Sequence, residues 1–469
     1  MDSRLTKIVC TLGPACDTPE QLEALVENGM SVARINLSHG SREKQKETIA
    51  KLKKLNENRA IPVGILLDTR GAEIRTGDVQ TPIIIAKGET VTFSPPNTVS
   101  QLEGKVIAVN YDGFANDVRE TKRILVDNGE LSFDIVSVND NGTVTACAKQ
   151  DGTVGTRRHV NLPGADIDLP SITEQDWDDI AFAAEEGVDF IALSFIRNAD
   201  ELKEARSFLN KKKSTLRIIT KVETAQAVEN IAEIIRASDG IMVARGDLGA
   251  EVPFERLPVI QDEIVVRCAD AAKPVIVATH MLESMKEHPI PTRAEMMDVA
   301  HAASTGADAT MLSGETATGK HPPVAVDAMH RLLFATEQHS ARFTMHRDVR
   351  LQDGEYEARA QAAVSLAEST DSVAILVFTR TGQTAHQVSK FRPRVPIVAC
   401  TNDKAVQGAM TLNYGTFPLY IEFSDPETTI KRGMEELQKH GFAGKGDRII
   451  LVTDIPKHLA DWSIQQRIL

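Results

Sequence analysis

The sequence predicts an α/β protein. Its core is a (β/α)8 (TIM) barrel, with a small β-barrel domain inserted and a C-terminal α/β domain built on a mainly parallel sheet. Three observations predict this. Eight apolar, β-branched-rich runs recur with helical segments between them. The runs are continuous rather than alternating, as in parallel strands buried on both faces. The pattern breaks once, after the third run, into short alternating strands with turn residues.

The eight runs are Ile8–Leu12, Val32–Leu37, Val63–Leu67, Phe190–Phe195, Leu216–Thr220, Gly240–Val243, Pro274–Ala278 and Ala309–Leu312. Eight strands, each followed by a helix, is the count of a (β/α)8 barrel. The helices carry their own start signals. Thr18-Pro19-Glu20-Gln21 is a capping box with proline at the first helical position, Leu22, Leu25 and Val26 form the apolar stripe, and Gly29 ends it.

After Asp68 the period changes. Short strands are predicted at Thr90–Phe93, Lys105–Val109, Arg123–Val126, Leu131–Val138 and Thr143–Ala148, with turns at Asn128-Gly129 and Asn141-Gly142. The barrel pattern resumes after Asn161-Leu162-Pro163-Gly164. Past Arg342–Gly354 a second βα alternation begins, with strands at Val373–Phe378, Val395–Cys400, Thr416–Tyr420 and Arg448–Val452 and a helix at Glu427–His440. The expected organisation is a barrel over 1–71 and 164–341, an inserted β lid over 72–163, and a C-terminal regulatory α/β domain over 342–469.

Composition narrows the function. At 469 residues the chain exceeds one ordinary core. An apolar content of 42% with 25% charged residues is that of a soluble globular protein. A net charge of −13 argues against nucleic acid or an anionic membrane as partner, but leaves an anionic small substrate open. The five cysteines are scattered with no CxxC pair, so neither a disulfide framework nor a zinc site is expected. The start leads straight into an apolar strand and no run approaches a membrane span, which makes the cytoplasm the expected compartment.

In such a barrel, function collects at the C-terminal strand ends. Strand two ends in Arg34, Asn36, Ser38, His39 and Gly40. Strand three ends in Asp68-Thr69-Arg70-Gly71, with Glu73 and Arg75 beyond. Strand four ends in Ser194-Phe195-Ile196-Arg197, strand five in Lys221 and Glu223, and strand six in Arg245-Gly246-Asp247. Strand seven ends in Thr279-His280 and strand eight in Ser313-Gly314-Glu315-Thr316. Strand alternation puts Lys221 and Glu223 on one face, and Arg245 and Asp247 likewise. Two carboxylates beside an amine suit a hard divalent cation with an anionic ligand. Taken alone, the four charges could be a surface salt-bridge cluster; polar ends on seven strands favour a site. Arg245 reads as a brace, and His39 as structural. Thr292-Arg293-Ala294-Glu295 reads equally as a capped helix start or as a route for Arg293 into the site. The Gly246-Asp247 turn could seat an anion on backbone N–H groups.

With these motifs assembled, the chain resembles the pyruvate kinase family. The matching blocks are TKIVCTLGP, ARINLSHG, LLDTRGAEIRTG, VNLPG, SFIR, ITKVE, SDGIMVARGDLGAEVP, ATHMLESM, PTRAE and MLSGETATGKHP. The resemblance implies phosphoryl transfer from phosphoenolpyruvate to ADP. It implies that Glu223 and Asp247 hold Mg2+ (or Mn2+), that Lys221 stabilises the phosphoryl group in flight, and that Arg34 contacts the phosphate. Ala244, Gly246 and Asp247, with Thr279, would seat the substrate carboxylate. Asn36, Ser38, Asp68 and Thr69 would hold K+, and Asn36, His39 and Arg75 would contact the nucleotide. Thr279 has no suitable pKa of its own, so protonation of the enolate is expected through a water relayed by it. A homotetramer is implied as well.

Three departures stand out. Arg70 and Ala72 replace the family's usual lysine and proline, while Glu73 is retained. Family members with lysine at the latter position manage without K+, so Glu73 implies K+ dependence. His280 stands where glutamine is usual. In the C-terminal domain Thr379, Thr381, Gly382 and Thr384 resemble a sugar-phosphate loop, against the reading of a capped helix without ligand. The ending IPKHLADWSIQQRIL lacks the family's glycine-rich segment, which favours a monophosphate effector over a bisphosphate. A metal-dependent barrel lyase acting on a pyruvate enolate would also use Glu223 and Asp247, but leaves the insert, Asp68-Thr69 and the C-terminal domain unexplained. A non-catalytic paralogue has only Arg70 and the altered C-terminus in its favour.

Overall fold

The structure, a computed structural model, describes residues 4–95, 104–127, 129–165, 167–343, 354–453 and 463–469. Eight parallel strands close into a barrel: Lys7–Thr11, Val32–Asn36, Gly64–Asp68, Phe190–Leu193, Arg217–Val222, Gly240–Ala244, Val275–Ala278 and Ala309–Leu312. They pair in chain order, and Lys7 beside Ala309 closes the ring. Strand five runs through Val222, two residues beyond the expected end, so Lys221 is held in the ladder itself, opposite Met242.

Local signals explain the helices. Thr18 caps Pro19–Glu27 in a capping box with Gln21, and Leu22 and Leu25 are buried. The helix stops at Glu27, and Gly29 takes φ +119 in the following turn. Thr292 and Glu295 form another capping box on Arg293–Ser304, where Arg293 is exposed. Of its two readings, the capped start describes the geometry.

The segment after strand three forms its own apolar core around Phe93, Phe114 and Phe133. Its larger sheet has six strands: Val160–Asn161, Arg123–Val126, Leu131–Val138, Val144–Ala148, Thr90–Ser94 and Val106–Ala108. Ile83–Ile85 and Gly152–Val154 add a two-stranded sheet that alternation did not signal. Asn128, half of one expected turn, lies outside the described residues; Gly129 takes φ +89.

The C-terminal sheet orders as Thr416–Tyr420, Ile397–Thr401, Ala374–Phe378, Arg448–Thr453 and Ser463–Ile468. The last strand is antiparallel and was not expected. Part of the ending IPKHLADWSIQQRIL, residues 455–462, lies outside the described residues, as do 344–353.

This domain docks on the N-terminal face of the barrel. Lys7 Nζ donates to the Thr416 carbonyl at 2.6 Å, and Arg392 Nη2 meets Asp308 Oδ2 at 2.7 Å. Leu412 packs with Val9, Leu66, Phe190, Ile219 and Met311 in the barrel's interior. Thr411 presses so closely on Gly64 that a Cβ there would lie 2.2 Å from its Oγ1. The opposite face, where the strands end, faces the insert.

Candidate active site

Lys221 is the hub of that face. Its Nζ lies 2.7 Å from Glu223 Oε1 and 3.3 Å from Asp68 Oδ1, and donates to Ser194 Oγ at 2.7 Å. Ser194 Oγ in turn donates to the Thr69 carbonyl at 2.8 Å. Burial would lower the ammonium's pKa, but Asp68, Glu223 and Asp247 outweigh it and hold the amine well above the usual lysine range.

Asp68, fully buried at the end of strand three, binds a second cation. Arg34 Nε lies 2.6 Å from Asp68 Oδ2, and Arg34 Nη1 donates to Thr11 Oγ1 at 2.9 Å. One carboxylate therefore joins the guanidinium of strand two to the ammonium of strand five. Removing one member of so buried a set would leave the others uncompensated.

Glu223 leaves strand five on the same side as Lys221 and accepts from the Phe195 N–H at 2.8 Å. Burial pushes its carboxyl up to about 7, against the pull of Lys221. Asp247 is desolvated too, yet His159 and Lys221 hold its carboxyl below the ordinary range. His159 Nδ1 comes from the insert to within 3.3 Å of Asp247 Oδ1.

Strand six corrects one expectation. It ends at Ala244 and the chain turns at once into helix Arg245–Glu251, so alternation no longer applies to Arg245 and Asp247. Arg245 faces away, 2.7 Å from Asp298 Oδ1, and donates to the Ala278 and Thr279 carbonyls at 3.2 and 2.5 Å. It ties strand six to strand seven. Asp247 alone turns toward Glu223 and Lys221.

The Gly246 N–H, one donor of the expected anion seat, already donates to Thr279 Oγ1 at 2.8 Å. Thr279 Oγ1 donates to the Ala278 carbonyl at 2.6 Å. Thr279 takes φ +69, His280 φ +55 and, across the mouth, Phe195 φ +54. A β-branched residue in that region is a strained one, and such strain gathers at functional sites. His280 is exposed beside Gly246.

The remaining expected residues divide. Asn36 and Asp68 are register partners; Asn36 Oδ1 accepts from the Ser38 N–H at 3.0 Å, and Thr69 Oγ1 from the Ser194 N–H at 3.2 Å. Arg70 Nη2 reaches the Ser38 carbonyl at 3.2 Å. His39 is exposed at the rim, and Arg75 lies in the hinge, paired with Glu73 and donating to the Arg157 carbonyl at 2.7 Å. Two polar strand ends prove structural. Arg197 ties the hinge through Ile167, Leu169 and Ser171, and Glu315 accepts from the Leu282 and Ser313 N–H groups.

In the C-terminal domain, Gly382 at φ +85 opens helix Gln383–Lys390. Thr379 Oγ1 accepts from the Gly382 N–H at 3.0 Å, and Thr379 and Thr384 are buried while Thr381 is exposed. The loop's own backbone thus uses part of the hydroxyl set expected for an effector.

Sequence reasoning passed over Thr11, Ser194 as a lysine partner, and His159. Ser194 was visible as a polar strand end. His159 sits in a basic stretch of the insert with no local signal that the fold would bring it to Asp247.

The donor set fits a hard divalent cation. Among the described residues no three His, Cys, Asp or Glu side chains converge on one point as a metal cage. Two facing carboxylates are nonetheless what Mg2+ takes from a protein, since it keeps waters and substrate oxygens for its other positions. Glu223 Oε1 and Asp68 Oδ1 are both buried and both face the Lys221 ammonium at ion-pair distance.

Comparison with known proteins agrees. Residues 3–326 match the family model of the pyruvate kinase barrel domain, and residues 357–461 that of the pyruvate kinase alpha/beta domain. The chain is 42% identical over 453 residues to plastidial pyruvate kinase 2 of Arabidopsis thaliana, covering 96% of this chain and 78% of that one. It is 40% identical over 461 residues to the pyruvate kinase of Sporosarcina psychrophila, covering 97% and 78%. It is 37% identical over 458 residues to that of Thermotoga maritima, covering 97% of each. The chain belongs to the pyruvate kinase family, whose reaction passes the phosphoryl group of phosphoenolpyruvate to ADP to give ATP and pyruvate.

Proposed function

We propose that Lys221, Arg34, Glu223 and Asp247 carry this reaction, with Thr279 and the Ala244–Asp247 turn seating the substrate carboxylate. The observation that carries the reading is the Asp68 bridge, which fixes Arg34 and Lys221 at one end of the barrel beside the buried Glu223 and the half-buried Asp247. Donor, acceptor and transferred group are all anionic, so catalysis is mostly positioning and charge neutralisation. Arg34, held on two sides, fixes the phosphate. Lys221, kept protonated by its neighbours, follows the charge on the phosphoryl group as it moves. Thr279 orients the water that protonates the enolate. Glu223 and Asp247 would hold Mg2+ or Mn2+, which when bound neutralises phosphate oxygens. Asn36, Ser38, Asp68 and Thr69 would hold K+, and Asn36, His39 and Arg75 would meet ADP.

The test is ADP-dependent pyruvate formation with Mg2+ varied. Glu223→Gln and Asp247→Asn should each raise the Mg2+ requirement at least about tenfold. Parent-like Mg2+ dependence in both would overturn the ligand assignment.

We further infer a homotetramer, a phosphorylated effector at Thr379–Thr384 and a cytoplasmic location. Exposed apolar side chains on the outer helices and the bend before Arg293–Ser304 support assembly: Phe254, Val259, Val266, Met297 and, in the bend, Ile290. The exposed Thr381 beside Gly382 supports the effector. Five free cysteines, four of them buried, support a reducing compartment. Among the described residues no helix is long and apolar enough to cross a membrane.

A further inference from the structure

Two side chains of the insert reach the barrel side by side. His159 and Asn161 are two residues apart on extended backbone, and so share a face. Asp247 and Glu251 are four apart on helix Arg245–Glu251, and so share a face of it. His159 Nδ1 lies 3.3 Å from Asp247 Oδ1, and Asn161 Nδ2 donates to Glu251 Oε1 at 2.8 Å. The spacings match: alternate strand residues advance about 6.6 Å and four helical residues about 6 Å.

The contact is enclosed. His159 and Asn161 are 9% and 3% exposed. The His159 ring stands edge-on to Phe195 at 5.7 Å, and its backbone bridges to Arg75 at the other hinge strand. A cavity of about 290 Å³ lies behind the pair, lined by both hinge segments together with Phe195, Thr224 and Glu251. A swing of the insert away from helix Arg245–Glu251 would break both contacts.

We propose that His159 and Asn161 form an inter-domain clasp, in which His159 is a positioning residue for Asp247. The inference rests on reading Asp247 as a ligand of the divalent cation. Asp247 faces Lys221, an ammonium that would draw its carboxylate inward. His159 holds one of the two carboxylate oxygens on the insert's side and so fixes the group's orientation. Partners that orient metal-binding carboxylates commonly govern metal affinity. Here the partner belongs to the inserted domain, so metal affinity and docking of the insert on the barrel would be linked, and by reciprocity each would strengthen the other.

Mn2+ binding to the full chain, followed by electron paramagnetic resonance without substrates, tests this, with amide exchange of residues 158–163 recorded with and without Mn2+. Expected are a roughly tenfold loss of Mn2+ affinity in His159→Ala and partial recovery in His159→Gln, which keeps a donor. Asn161→Ala should lose the Mn2+-induced protection of 158–163. Thermal midpoints check that the variants fold; if His159→Ala does not, His159→Gln against the parent carries the comparison. If Asp247→Asn weakens Mn2+ but both His159 variants stay within twofold of the parent, the clasp is packing only, while Asp247 keeps its role. If Asp247→Asn itself binds Mn2+ normally, the ligand reading fails and takes the clasp with it.

Discussion

Lys221 Nζ lies 2.7 Å from Glu223 Oε1, two residues on and just past the end of strand five, so the amine and a carboxylate share one face of the barrel rim. In this arrangement each satisfies the other. That Glu223 oxygen is buried, with the Lys221 ammonium as its ion-pair partner.

Potassium dependence is the first prediction. Glu73 pairs with Arg75, and no lysine stands at that position to replace a monovalent cation beside Asn36 and Asp68. Turnover in tetramethylammonium buffer should fall at least about tenfold and return with added K+. Full activity without K+ would contradict the assignment of Asn36, Ser38, Asp68 and Thr69.

Docking of the C-terminal domain gives the second. A Cβ on Gly408 would lie 1.7 Å from Asp189 Oδ1, on the barrel's underside. Gly408→Ala should lower stability by roughly 1–3 kcal/mol, the usual cost of overpacking, seen as a fall in thermal midpoint. An unchanged midpoint would mean the domains are not pressed together there.

A pH dependence follows from His386, behind Gly382 with Nδ1 2.9 Å from Asn413 Nδ2. Burial, with Arg217 and Lys273 adding repulsion, lowers its pKa to about 4. A histidine depressed on folding contributes stability above its unfolded value near 6.5, and that stability is lost as pH falls toward about 4. Denaturant midpoints should therefore drop between pH 6.5 and 4, and less so in His386→Gln. Parallel profiles for parent and variant would contradict this.

Assembly is checked by light scattering. Val259 and Val266 are one heptad apart on helix Leu257–Asp270 and both exposed. Charging them together, Val259→Asp with Val266→Asp, should shift the assembled parent to smaller species. A parent already monomeric would contradict the tetramer, and a variant that keeps the assembled mass would contradict this helix face as its interface.

Most of the fold was legible because burial on both faces writes continuous apolar runs, and each of the eight barrel strands begins within one residue of the run that predicted it. The antiparallel edge strand Ser463–Ile468 was not, since SIQQRI has no apolar period and borrows its place from Arg448–Thr453. In the site, Lys221 and Glu223 were readable as a strand pair. Arg245 and Asp247 were misread as another, because the backbone turns helical at Arg245 where the sequence carries no cap signal. The partners that set the chemistry came from elsewhere in the chain. Asp68 reaches Lys221 across the intervening strand Phe190–Leu193, and His159 reaches Asp247 across a domain boundary, so no local pattern reports either.

The central claim is that Lys221, fixed by Glu223, Asp68 and Ser194, neutralises the phosphoryl group in transit. The measurement is ADP-dependent pyruvate formation by Lys221→Met at saturating Mg2+ and K+, with phosphoenolpyruvate binding read separately by calorimetry. The account predicts turnover lower by about 100-fold or more, with the substrate still bound. Turnover within a few-fold of the parent would contradict it.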